Sequence, residues 1–168
     1  MKIRHKLVIL LAVMLTTLHG VISFFIYQRA RQEFINEVRE KAKLIAMELE
    51  VTRNYLASAL KVSKLDITDQ TKYFIPAVSG NVIGLNFAEK TGYVIKQTSL
   101  KYRNLFNKPD AFEEKVLREM EADPNLVEYW NDDVIDGKRV ERYLYALHVK
   151  EDCLLCHGKK ELAPEFIQ

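Results

Sequence analysis

The chain lacks the signatures of nucleotide and hydrolytic chemistry. Its 168 residues contain no glycine-rich phosphate loop, no Walker motif and no nucleophile elbow, which sets nucleotide chemistry aside. It also lacks an excess of either charge. The formal net charge is +2, and lysines and arginines alternate with acids along the polar part, so nucleic acid is not an expected partner. Proline and glycine are absent from residues 28–62, so nothing there breaks a helix. Cysteine is scarce, with two in all.

What is present turns on those two thiols. Both fall in Cys153-Leu154-Leu155-Cys156-His157, the C-x-x-C-H spacing of covalent c-type haem attachment. Each cysteine of such a motif forms a thioether to one haem vinyl group, and the adjacent imidazole reaches the iron from the same side. Three rival readings exist. A thioredoxin-like dithiol wants a strand before it and a helix after it, but Gly158-Lys159-Lys160 follow and the chain nearly ends. A zinc site needs four ligands, and His148 is the only extra nitrogen nearby. A plain disulfide leaves His157 unexplained.

The organisation reads in four parts. Residues 1–6 carry Lys2, Arg4, His5 and Lys6 and form a cytoplasmic N-terminus. Residues 7–27 are apolar, free of formal charge and long enough to span a hydrocarbon core. A cleaved signal peptide is the alternative, but the run exceeds a usual h-region and lacks a clear A-x-A-like site. The expectation is therefore one uncleaved span in the cytoplasmic membrane, with the remaining chain in the periplasm or outside the cell. Thr16, Thr17, His19, Gly20 and Ser23 interrupt the apolar run, and such residues usually face another helix.

Residues 28–62 form the third part, one long amphipathic helix. Val38, Ala42, Ile45, Leu49, Thr52, Leu56 and Ala59 alternate steps of four and three. That seam either joins two copies into a homodimer or packs on the chain's own domain. Residues 63–168 are the fourth part, the haem c domain. Residues 72–82 contain Pro76 and lead to Gly80 and Gly84, which predicts a short or broken helix. Residues 92–100 have strand-like composition, and 101–109 form a loop. Asp110 caps a helix with Glu113 at capping-box distance, and Asp123-Pro124 ends it. A hairpin turns at Asp136-Gly137, its second strand covering 139–149. The fold class is α+β with an antiparallel sheet and flanking helices.

From Tyr73 to Gly158 the order of motifs resembles the PAS-like c-type haem sensor family, formerly a family of unknown function found in bacterial sensor proteins. The matching pieces are Ile75-Pro76-Ala77-Val78, Lys96-Gln97-Thr98-Ser99-Leu100 with Arg103-Asn104, Lys108-Pro109-Asp110-Ala111-Phe112-Glu113, Arg142-Tyr143 and Cys153-Leu154-Leu155-Cys156-His157-Gly158. The resemblance implies a PAS-like antiparallel sheet with flanking helices, one covalent haem c, and sensing of redox state or a small ligand. Family chains often continue past the haem motif, whereas this one stops at Gln168, so its sheet is expected to be shortened at that end. A cysteine can serve as second axial ligand in the family. No third cysteine exists here, which leaves the sixth iron position open or filled by another residue.

On this reading Cys153 and Cys156 anchor the haem and His157 is its proximal ligand. Met47, Met120 and His148 are the distal candidates, although methionines at helical spacing usually fill cores and a strand histidine is usually solvated. Arg103 is a candidate for a haem propionate through its planar fork, its alternative role being an ordinary surface charge. Tyr143, Tyr145 and Trp130 are aromatic enough to line a pocket or to build a core. The expected role is a sensor module, not an enzyme, since a peroxidase-like distal acid-base pair is not recognisable. Its signal would leave through the span or through a signalling partner. A tethered monohaem electron carrier with a redox partner is the second hypothesis.

Overall fold

The structure is a computed structural model that describes residues 3–159, 161 and 163; Lys2, Lys160 and Gln168 lie outside them. The described elements are helix α1 (Ile3–Ser63), α2 (Pro76–Thr91), α3 (Ala111–Ala122), strands β1 (Glu128–Ile135) and β2 (Lys138–Tyr145), and the single turn α4 (Leu154–His157). The chain divides into two compact units, residues 1–42 and 43–168.

In the first unit α1 is apolar on every side. Leu10, Leu18 and Phe25 are 63, 57 and 65% exposed, and a helix apolar all round needs an apolar surrounding. The helix is long and apolar enough to cross a membrane. Thr16 and Thr17 do not require a neighbouring helix. The Thr16 hydroxyl donates to the Ala12 and Val13 carbonyls and that of Thr17 to Val13 and Met14, at 2.9 to 3.0 Å. Each threonine is thus satisfied by its own helix. Past the apolar run, Arg29–Glu33 and Lys41–Glu37 pair one turn apart at 2.8 and 2.7 Å.

The second unit is built on the β1–β2 hairpin. The strands pair antiparallel from Glu128 opposite Tyr145 to Ile135 opposite Lys138. Asp136 and Gly137 turn the chain with φ of 51 and 75°, the left-handed pair a type I′ turn requires. Two strands alone are marginal in water, so the ribbon needs cover. Helix α1 supplies part of it: Tyr145 Oη donates to Glu50 at 2.9 Å and Lys43 Nζ to Glu128 at 3.3 Å. From residue 43 onward the helix thus packs on its own domain. The half-buried positions form a broader stripe than the seam, with Lys43, Ala46, Glu50, Arg53 and Ala57 beside Ala42, Ile45, Leu49, Thr52 and Leu56. Ala59, also assigned to the seam, is exposed.

Helix α3 covers the ribbon elsewhere. Phe112 meets Tyr129 edge-on at 6.0 Å, and the Arg142 guanidinium lies 4.4 Å from the Phe112 ring centre. The expected capping box is present. Asp110 accepts from the Glu113 N–H at 2.8 Å, and Glu113 accepts from the Asp110 N–H at 2.9 Å. Glu113 is itself buried, and Lys96 at 2.6 Å and Arg142 at 3.4 Å compensate its charge. Among the described residues the buried apolar side chains are Ile75, Val116 and Ala163.

Four expectations are corrected. The described residues contain one two-stranded sheet, so the broader antiparallel sheet is not observed. Residues 93–99 are not a strand, because their side chains make the connections a ladder would make. Lys96 donates to the Lys108 carbonyl at 2.7 Å, Gln97 to Ala77 at 3.0 Å and Thr98 to Asn107 at 3.1 Å. The break expected in 72–82 is instead a 3-10 turn (Lys72–Phe74) followed by the 16-residue α2. Pro76 is its first residue, where a missing N–H costs nothing. Gly80 and Gly84 lie inside α2 because Gln97 and Ile95 approach there, and a Cβ at Gly84 would sit 3.3 Å from the Ile95 carbonyl oxygen. The second hairpin strand ends at Tyr145 rather than 149.

Candidate cofactor site

Beyond Tyr145 the chain leaves the ribbon. The Ala146 N–H donates to Val127 at 2.9 Å, and residues 147–150 are exposed. Lys150 is tied to α1 by its ammonium, 3.0 Å from Asn54 Oδ1, and its carbonyl accepts from the Cys153 N–H at 2.9 Å. That second bond closes a 3-10 turn (Glu151–Cys153), which runs directly into α4.

Cys153 stands at the N-cap of α4 with helical backbone angles, and Cys156 and His157 follow three and four residues on. Positions at those spacings lie on one face of a helical turn. The Gly158 N–H donates to the Leu154 carbonyl at 2.7 Å and ends the turn. A Cβ at residue 158 would collide with that carbonyl oxygen, so glycine is needed there for close approach. Both cysteines are free thiols and half-buried. Among the described residues no group of three His, Cys, Asp or Glu side chains is gathered as a metal site.

Two arginines attend the motif. Arg103 Nη2 donates to the Gly158 carbonyl at 2.9 Å, which brings the expected propionate candidate to the turn. Arg53, from α1, acts on Cys153 and His157 through its charge. Nη1 of each arginine is buried without a hydrogen-bond partner among the described residues. Burial lowers the pKa of Arg53, opposed by the charges of Cys153 and Glu50. His157 is exposed, yet its partial burial and then the charges of Arg103 and Arg53 lower its pKa and favour the neutral imidazole. Burial raises the Cys156 thiol, partly offset by Arg103 and reinforced by Cys153. Cys156 is thereby held away from the thiolate form used in zinc binding or disulfide exchange.

The distal candidates are not among the groups whose bonds or charges reach the motif. Met47 is 46% exposed on the outer side of α1, Met120 is half-buried near the end of α3, and His148 is exposed beyond β2. Trp130, Tyr143 and Tyr145 belong to the ribbon's own packing. Trp130 stacks on Tyr143 at 3.9 Å, and the Tyr143 hydroxyl, its pKa raised by burial and by Glu128, donates to that carboxylate at 3.0 Å.

Arg53 is the residue the sequence did not single out. Its signal was faint: a cation four residues after Leu49 and three before Leu56, hence beside the apolar seam. The donor set fits a haem. Two thiols and a neutral-favouring imidazole share one face, and two buried guanidinium N–H groups lack acceptors.

A family model described as Tll0287-like matches residues 31–168. A solved structure, that of the cyanobacterial heme-protein Tll0287, is similar to this chain at 28% identity. Its TM-score is 0.60, and the match covers 77% of this chain and 80% of that one. No curated protein matches the sequence.

Proposed function

Because the chain belongs to the Tll0287-like family, we propose that it is a membrane-anchored, extracytoplasmic haem c sensor module with a PAS-like domain. The observation that carries this reading is the α4 turn, where Cys153, Cys156 and His157 share one face beside two arginines with unpartnered nitrogens. Cys153 and Cys156 would hold the haem through thioethers, His157 would ligate the iron, and Arg103 would hold a propionate. The haem would supply an iron that responds to redox state or to a small ligand. Arg103 also fixes the Gly158 carbonyl, and so orients the end of the turn that carries His157.

The similarity to a haem protein over most of both chains supports the cofactor. The apolar stretch of α1 and the basic Arg4 and Lys6 before it support a single span with the domain outside the cytoplasm. The role is binding and sensing rather than turnover. A homodimer through α1 belongs to the proposal, as does an unidentified signalling partner or redox partner.

The test is an optical spectrum of the full chain made with c-type maturation machinery, with a haem-stained denaturing gel. Covalent haem that disappears only when Cys153 and Cys156 are replaced supports the assignment. A colourless protein overturns it and restores zinc. Carbon monoxide binding to the reduced iron supports a sensor with an open or displaceable sixth position. An unresponsive low-spin spectrum supports the tethered electron carrier instead.

A further inference from the structure

We infer that Arg53 is the second arm of a carboxylate clamp, binding with Arg103 the two propionates of the haem and so fastening helix α1 to the prosthetic group. This rests on the haem reading above. Arg103 uses Nη2 on the Gly158 carbonyl, and its Nη1 is buried with no acceptor among the described residues. Arg53 arrives from a different element, and its Nη1 is equally buried with no acceptor among the described residues. Buried guanidinium N–H groups left without acceptors are costly, and two such groups beside the motif point to acceptors beyond the described residues, which the haem carboxylates would supply.

The two arms approach the same turn: Arg103 reaches the Gly158 carbonyl at 2.9 Å, and the Lys150–Asn54 bond at 3.0 Å brings α1, one residue past Arg53, to the segment that leads into Cys153. Two like charges side by side repel unless anions lie near them, and a haem brings two carboxylates. A planar guanidinium matches a carboxylate through two parallel N–H groups, which an ammonium cannot do. The chain's own candidate acceptor is Glu50, one turn before Arg53. Its Oε2 accepts from the Tyr145 hydroxyl at 2.9 Å, and its charge acts on Arg53 while Nη1 stays unbonded. Glu50 therefore steadies the arm without occupying it.

The experiment is resonance Raman spectroscopy of the full-length holoprotein in detergent, reading the propionate bending bands, which respond to hydrogen bonding at the carboxylates. Arg53→Gln and Arg103→Gln are each expected to shift a propionate band, and Arg118→Gln, on the exposed side of α3, to shift none. Loss of either clamp cation is also expected to lower the ferrous-to-ferric ratio at fixed ambient potential about tenfold, which is 59 mV for one electron. Arg53→Met keeps the stem and removes the buried charge, and it serves where the glutamine variant does not accumulate. Covalent haem with unshifted propionate bands in a folded Arg53 variant overturns the clamp and leaves the haem assignment standing. Absence of haem from the unmutated chain overturns the haem assignment itself. The arms could instead hold a free dicarboxylate, so the wild-type potential is measured with added succinate. Indifference supports propionates, and a succinate-dependent potential overturns the clamp.

Discussion

At the scale of single residues the motif depends on one position that is neither sulfur nor nitrogen. Gly158 lets the chain pass the Leu154 carbonyl and delivers its own carbonyl to Arg103. Gly158→Ala is expected to open the α4 turn and reduce haem incorporation several-fold while both cysteines remain, as a haem-stained gel against total protein would read. Glu113 is the other residue on which much rests. Replacing it with alanine takes one acceptor each from Lys96 and Arg142 and removes half of the capping box, at a cost of about 2 kcal/mol in urea unfolding. Spacing alone singled out Cys153, Cys156 and His157 as candidates, since the motif is local to five residues. Arg53 was not legible, because its meaning comes from a turn 100 residues later that sequence cannot place beside it.

At the scale of elements, local rules read well wherever local chemistry decides. The Asp110–Glu113 box and the Asp136-Gly137 turn are such cases. Residues 93–99 failed as a strand because Lys96, Gln97 and Thr98 bind backbone carbonyls of other segments. Helix α2 outran expectation because its glycines serve close packing rather than a break. The cap of α3 makes a pH prediction. Burial disfavours the Asp110 carboxylate, but the Glu113 N–H and then Arg142 outweigh it and hold its pKa below the usual range. The Val134 N–H and Arg142 do the same for Asp133. A folded-state pKa below the unfolded value of about 3.9 gives stability that is present above that value and lost as pH falls through the folded one. The urea midpoint is expected to drop between pH 5 and 3, and to drop less in Asp110→Asn. On α1, Leu44, Val51 and Tyr55 are 63, 63 and 70% exposed on the side away from Glu50 and Arg53. If the proposed homodimer forms through this helix, Leu44→Glu with Val51→Glu is expected to halve the detergent-corrected mass in light scattering, with an unchanged mass counting against this face.

At the scale of the whole molecule, the apolar run of α1 and the candidate cofactor motif belong to different stretches of chain. The unit from residue 43 onward contains the motif, both arginines and every buried apolar side chain described. Replacing residues 1–27 with a cleavable signal peptide is therefore expected to give a soluble protein that still carries haem; recovery only in the membrane fraction would count against the assignment of the span. The division into an apolar run and a mixed domain was legible from composition, because lipid and water select residues along the whole length. The two-stranded sheet was not legible, because strand number follows from tertiary pairing rather than from local preference. Among the described residues the buried core of that domain is thin, with Val116 reaching 0% exposure. If the proposed haem is attached there, a chain with so little described interior would be open to proteases until the group is in place, and because a thioether does not dissociate, that protection would be permanent once gained. The amount of this protein in a cell should then follow the supply of haem and of the enzymes that attach it, whatever the rate of its synthesis.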